Sequence, residues 1–401
     1  MSWKKYVLLF LFFIPVTFLS QRSLFATGDR IVNTPYSSVS KQAVKPSAPL
    51  TREELAIKAR LDHYFMQRYR YEAFNGVVLI AHNGRTIYKQ SFGYSDLATH
   101  VALSDTLPFE LASVSKTFTS TAVLKLAEQG VINLDNPVTV YFPTFPYPDV
   151  TLRHLLAHRS GLPDYVYMDN RYITDRKHYM DNNDVVNIFC DKKPAQLYAT
   201  DSHFEYSNTN YALLAAIVAK ATGIKFQKYM KDSIFEPLGM HHSYVFDFED
   251  SIQPEYARTH DAWGQKLRDV CFDGAVGDKG VYATAADMLL WDNALKTGKI
   301  LTEEAIEEAY KPRSFESGSF ANSNVKNYGY GWRMTKQTDG NSIIYHNGWW
   351  HGNNNVFARN LRDNTTIIIL GNRLNQGNYY TEPIWNILKP LHEPDAVAEE
   401  K

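Results

Sequence analysis

The sequence predicts an α+β fold, a three-layer α/β/α arrangement. An antiparallel sheet is formed by strands from both ends of the domain and flanked by helices, with a mostly helical lobe between them. Three observations predict it. A hairpin pattern lies near the start of the domain, helical periodicities and long loops fill its middle, and strand patterns return near its end.

The elements follow in order. Thr51 with Glu54 three residues later is a capping box, so a helix is expected over about Arg52 to Tyr69. Gly76–Ala81 and Thr86–Phe92 read as strands. They are joined through His82-Asn83-Gly84-Arg85, where Asn-Gly tolerates the positive φ of a tight hairpin. A helix is expected from Ser113 to about Gln129, because Val114, Phe118, Ala122 and Leu126 recur at helical spacing and Gly130 ends the run. The middle, about 135–310, holds helices at Asn210–Thr222 and at Thr284–Thr297, the latter capped by Thr284. Strands return at Ser342–His346, Asn354–Asn360 and Thr365–Gly371, before a last helix over about Thr381–Leu391. The folded domain is expected over 52–392, with a flexible tail at 393–401. No internal repeat and no Walker or dinucleotide glycine signature is present.

The bulk properties exclude some functions. Apolar residues make up 44% and aromatics 14%, enough for a sizeable core, while a net charge of −1 argues against general nucleic-acid affinity. Lys4 and Lys5 precede an apolar run from Tyr6 to Leu19, the form of an export signal. Residues 1–20 are therefore expected to be a signal peptide or a retained membrane anchor, and 21–51 a polar linker. An extracytoplasmic location, periplasmic, secreted or anchored, is the expectation, with membrane contact only through that segment. Cys190 and Cys271 are the only cysteines, too few for a disulfide framework; one bridge or two buried thiols both fit.

The chemistry centres on Ser113-Val114-Ser115-Lys116. A hydroxyl and an amine three residues apart share one helical face, and a serine needs a nearby base to become a nucleophile. The same spacing occurs at Ser2–Lys5, Ser38–Lys41 and Ser323–Lys326, so companions must single one pair out. Tyr206-Ser207-Asn208 offers a phenol that can relay protons and an amide that both donates and accepts, although Tyr345-His346-Asn347 has the same spacing. His346-Asn347-Gly348 closes a strand pattern, where glycine permits close backbone approach. The N–H of Trp349 beyond it and that of Ser113 are the candidate oxyanion donors. His154 and His158 have metal-ligand spacing but no third ligand, so neither a metal nor another cofactor is expected.

With these residues in place, the chain resembles the serine β-lactamase and penicillin-binding-protein superfamily, in its class C β-lactamase-like branch of DD-carboxypeptidases, D-aminopeptidases and esterases. Ser113/Lys116, Tyr206/Asn208 and a His-x-Gly where many members have Lys-Thr-Gly occur in the family's order. Leu155–Pro163, Gly277–Gly280 with Tyr282–Met288, and Tyr328–Trp332 also look like this branch. The resemblance covers about residues 55–390.

It implies an acyl-enzyme mechanism: Ser113 as nucleophile, Lys116 and Tyr206 moving its proton, Asn208 and His346 near substrate, and Gly348 and Trp349 at the oxyanion side. The expected substrate is a small-molecule or peptide acyl donor, such as cell-wall peptide. His346 departs from the family's lysine, which weakens the case for an anionic β-lactam or a peptide carboxylate as the preferred substrate. Peptidase or esterase activity is the leading expectation, β-lactamase the alternative, and a non-catalytic binding homologue the third.

Overall fold

The computed structural model describes residues 49–250, 253–315, 326–336 and 342–392, all within the unit Ser38–Lys401. The export segment, nearly all of the linker, the tail after His392, both members of the Ser2 and Ser38 pairs, and Ser323 lie outside the described residues.

Helix α1, Arg52–Tyr71, opens on the expected reciprocal cap: Glu54 N donates to Thr51 Oγ1 at 3.1 Å and Thr51 N to Glu54 Oε2 at 2.8 Å. Strands β1, Gly76–His82, and β2, Arg85–Phe92, follow. Asn83 and Gly84 take φ of 51° and 72°, the two positive values that the tight turn between them requires. After the central lobe come β3 (Ser314–Phe315), β4 (Lys326–Tyr328), β5 (Arg333–Lys336), β6 (Ser342–Trp350), β7 (Asn353–Asn360) and β8 (Thr365–Gly371). These form one antiparallel sheet in the order β2-β1-β8-β7-β6-β5-β4-β3. The first strand of the domain thus pairs with the last, Gly76 opposite Gly371 and Ile80 opposite Ile367.

Both faces of the sheet centre are buried, which is why β1 and β8 read as nearly continuous apolar runs. One face, with Val78, Ile80, Val356, Ile367 and Ile369, packs under Ile57, Leu61 and Phe65 of α1 and under Ile384 and Leu388 of the final helix, Glu382–Leu388. Helix α2, Ser115–Glu128, is buried on nearly every side and lies beneath the other layer. Phe118 stacks on Trp291 of helix α4 (Ala285–Lys296) at 4.2 Å between ring centroids. Helix α3, Asn208–Thr222, packs against α2 and ends at Gly223 with φ 74°.

The expected three-layer mixed fold is present. Three details differ from the sequence expectation. The helix after Ser113 begins at Ser115, behind a short 3₁₀ turn at Ala112–Val114, because Ala112 adopts φ 52°. Strand β6 runs on through His346-Asn347-Gly348 to Trp350, since β7 pairs with it along that whole length. The short edge strands β3, β4 and β5 have no hydrophobic period that would announce them.

One ion cluster locks α4 to the sheet. Asp292, fully buried, accepts from Arg359 Nε and Lys296 Nζ at 2.6 Å each and from Thr366 Oγ1 at 2.7 Å. Cys190 and Cys271 are both buried and unbridged.

Candidate active site

Ser113 sits in the 3₁₀ turn at the head of α2, where strand β6 crosses it. Ala112, with its left-handed φ of 52°, bends the chain so that the serine is displayed at the turn. A conformation that L-residues rarely adopt costs on the order of 1 kcal/mol or more and persists only where its surroundings hold it. Leu111 N donates to Val281 O at 2.8 Å on one side. On the other, β6 presses close: a Cβ on Gly348 would lie 2.2 Å from Leu111 O. The close approach that glycine allows here is therefore to the protein's own serine turn.

Lys116, one helical turn on, is completely buried. Its Nζ lies 3.0 Å from Ser113 Oγ and donates to Asn208 Oδ1 and to the Asp278 carbonyl oxygen at 2.8 Å each. Asn208 and Asp278 hold two of its N–H groups, so the remaining position on nitrogen faces the Ser113 hydroxyl.

Tyr206 joins the cluster through its ring, whose centroid is 5.0 Å from Lys116 Nζ. That face stabilises positive charge on the lysine by roughly 1–2 kcal/mol in a desolvated setting. The Arg333 guanidinium lies 5.1 Å from the same ring and 5.8 Å from that of Tyr328.

Asn208 is oriented by Asp164, which accepts from its backbone N at 3.0 Å and its Nδ2 at 2.8 Å. The amide oxygen is thereby turned toward Lys116. Burial pushes the Asp164 carboxyl above its ordinary range, while the N–H groups of Asn208 and Val166 act to lower it. Replacing Asp164 by alanine frees the amide to flip and offer N–H to Lys116. A fall in kcat/KM of about 10–100-fold is expected from this loss of orientation, read by ester hydrolysis; an unchanged value would show that Asn208 holds its orientation without Asp164.

Two histidines back the tyrosine, both neutral. His346 is only 1% exposed; its Nδ1–H donates to Asn347 O at 2.7 Å and its Nε2 accepts from Tyr328 OH at 3.1 Å. Burial, then the charges of Arg333 and Lys116, hold it well below the usual imidazole range. His158, also buried, lies with its ring tilted against that of Tyr206, 4.3 Å between centroids. Its Nδ1 accepts from Ser207 N at 3.2 Å and Asn210 Nδ2 at 3.0 Å, and burial followed by Lys116 keeps it deprotonated.

Trp349 is 56% exposed beside the site, its Nε1 bonded to His351 O at 3.1 Å. Trp350 turns the other way, to Asp273 Oδ1 at 2.5 Å, and its ring lies 5.0 Å from Lys279 Nζ. It lines a small pocket together with Glu110, Tyr256, Lys279 and His351.

The fold thus brings Ser113, Lys116, Tyr206 and Asn208 into one cluster, with His346 near Tyr206 and Gly348 against the turn. Asp164 and Arg333 escaped sequence reasoning, although each directly follows a segment already singled out, Leu155–Pro163 and Tyr328–Trp332. The Asp278 carbonyl also escaped it, because a backbone oxygen carries no sequence signal.

Fold and cluster together define a serine hydrolase. A family model described as Beta-lactamase matches residues 59–389. Penicillin-binding protein 4* of Bacillus subtilis (strain 168) is 32% identical over 324 residues, 76% of this chain and 70% of that protein. Protein flp of Staphylococcus aureus (strain NCTC 8325 / PS 47) is 27% identical over 74% of this chain, and the match spans 59% of its own length. Among solved structures, D-amino acid amidase from Ochrobactrum anthropi SV3, complexed with L-phenylalanine amide, superposes with a TM-score of 0.69 at 25% identity. That match covers 86% of this chain and all of the amidase chain. The penicillin binding protein from Bacillus halodurans shares the fold at TM-score 0.69 and 24% identity, over 82% of this chain and 98% of that chain. The chain belongs to the Beta-lactamase family and is a serine hydrolase of the β-lactamase and penicillin-binding-protein superfamily.

Proposed function

We propose that this chain is an extracytoplasmic hydrolase of the peptidase or esterase type, cleaving amide or ester bonds through an acyl-Ser113 intermediate. The observation that carries the reading is the placement of Lys116 Nζ, 3.0 Å from Ser113 Oγ with two fixed acceptors on its other sides. Ser113 Oγ attacks the carbonyl carbon as its proton passes to the Lys116 lone pair. The N–H groups of Ser113 and Trp349 hold the oxyanion, in a role worth roughly 3–4 kcal/mol per donor in other hydrolases. The C–N or C–O bond breaks as Lys116, with the Tyr206 hydroxyl, returns the proton to the leaving group. Water, deprotonated by the same pair, then releases the acyl group.

One feature favours a peptide-like substrate that ends in a carboxylate: the Arg333 guanidinium, over the Tyr206 ring, places a cation at this end of the site, where His346 carries no charge. The amidase relative acts on amides of D-amino acids, as its name states, and such amides are natural first candidates. The Lys4-Lys5 and Tyr6–Leu19 pattern supports export. β-Lactamase activity is the second reading, favoured by the family.

A fluorescent penicillin or fluorophosphonate should label the wild type and leave Ser113→Ala unlabelled; equal labelling of both would sink the reading. Turnover of a D-Ala-D-Ala peptide, D-amino-acid amides, short esters and a cephalosporin then separates the classes. Cephalosporin hydrolysis without peptide, amide or ester turnover would favour the second reading.

A further inference from the structure

Glu110 takes no part in the steps above, yet its carboxylate is buried directly under the serine turn. Oε1 accepts from Ala112 N at 3.1 Å and from Gly280 N at 3.0 Å, and Oε2 accepts from Asn353 Nδ2 at 3.2 Å. The three donors belong to three separate pieces of the site. Ala112 is the residue of positive φ that displays Ser113. Gly280 lies two residues after Asp278, whose carbonyl holds Lys116. Asn353 opens β7, on the far side of the hairpin that follows Trp349 and Trp350. The Glu110 carbonyl accepts in addition from Asn355 Nδ2 at 2.9 Å.

We infer that Glu110 is a positioning residue: its ionised carboxylate ties the nucleophile turn, the carbonyl anchor of Lys116 and the Trp349 hairpin into one register. The inference rests on the reading of Ser113 as nucleophile. Bonds to a charged acceptor are roughly twice as strong as neutral ones, so the clamp slackens when the carboxyl takes up a proton. The titratable groups facing it are Lys279 and Tyr282 beyond Gly280, Tyr244 on the neighbouring short strand, and Asp273 and His351 across the pocket. Asp273 is bonded to His351 Nε2 at 3.0 Å, and Lys279 Nζ is held by Tyr165 OH at 2.6 Å and Ala275 O at 2.9 Å.

Burial, the largest influence, lifts the Glu110 carboxyl to about 7, against the lowering effect of the Gly280 N–H. A carboxyl raised on folding binds extra protons in the native state between its unfolded value and the raised one. Its ionisation therefore lowers stability as pH climbs through that window. A charge that costs stability and still bridges three parts of the site fits retention for function.

The test uses Glu110→Gln and Glu110→Ala beside the wild type and Ser113→Ala. Single-turnover acylation by the fluorescent penicillin or fluorophosphonate is followed across pH, with urea midpoints at acid and alkaline pH. Glu110→Gln is expected to acylate about 10-fold more slowly at alkaline pH, through the loosened register. It should also lose the wild-type inflection near 7 while its alkaline urea midpoint equals or exceeds that of the wild type. Glu110→Ala, which removes all three acceptor bonds, is expected to be slower still. Wild-type acylation with the inflection intact in Glu110→Gln overturns the inference. So does a lowered midpoint at both pH values with an unchanged rate per folded site, the mark of a purely structural role. Labelling that persists in Ser113→Ala removes the nucleophile assignment instead, so the two failures are distinguishable.

Discussion

Replacing Lys116 by methionine is expected to slow acylation of Ser113 by roughly 10³-fold, within the range that general bases contribute. The amine lies 3.0 Å from Ser113 Oγ and is aimed by Asn208 Oδ1 and the Asp278 carbonyl. Methionine keeps the length and apolar stem of the side chain but has no lone pair on nitrogen to receive the serine proton. Lys116→Arg is expected to be comparably slow, because a guanidinium keeps the charge but does not give up its proton near neutrality. Single-turnover labelling measures both, and circular dichroism confirms that each variant is folded. Near wild-type acylation in Lys116→Arg would assign the residue's contribution to charge rather than to proton transfer.

The largest expected loss of stability is at Asp292. Asparagine there keeps the shape but leaves Arg359 and Lys296 without their counter-charge inside the molecule, a loss of about 3 kcal/mol. Burial alone would raise the Asp292 carboxyl; the charges of Lys296 and Arg359, and the hydrogen bonds from Lys296 and Thr366, hold it below its ordinary value. The sign follows from linkage. A depressed native carboxyl contributes its stability above the unfolded value and loses it as pH falls through the depressed one. Urea midpoints of wild type and Asp292→Asn should therefore be far apart at neutral pH and converge in strong acid. A constant difference down to strong acid would assign the loss to packing instead of charge. Ester turnover per folded molecule should be unchanged, since the cluster joins α4 to β7 and β8 and not to Ser113.

Much of the site could be read from the chain where spacing is itself the physical constraint. Ser113 and Lys116 are one helical turn apart, and Tyr206 and Asn208 stand where a helix begins. The mixed fold was equally legible, because the hairpin at Asn83-Gly84 and the apolar runs of β1 and β8 follow local rules. Groups that act across the fold were not. Asp164 meets Asn208 and Glu110 meets Gly280 only after the lobe has folded back, and no periodicity marks such a pair. His-Asn-Gly looks like the end of a strand. It continues as β6 because Asn353 and Asn355, poor strand formers, are held in β7 by hydrogen bonds to Glu110. His346 was recognised by position, but its neutrality comes from burial beside Arg333 and Lys116, which a linear motif does not encode.

The pairing of β1 with β8 governs when this enzyme comes into being. Asn75 and Asn372, at the mouth of that pairing, donate and accept across 297 positions of chain. A ribosome that has delivered only the N-terminal two thirds has produced β1 and β2 with their sheet neighbour still unmade, and Ser113 with no β6 to lie against. Closure of so distant a contact is slow, and the apolar strands stay uncovered until it happens. Ser113 can therefore gain its β6 neighbour only after the strands that follow the central lobe have been made.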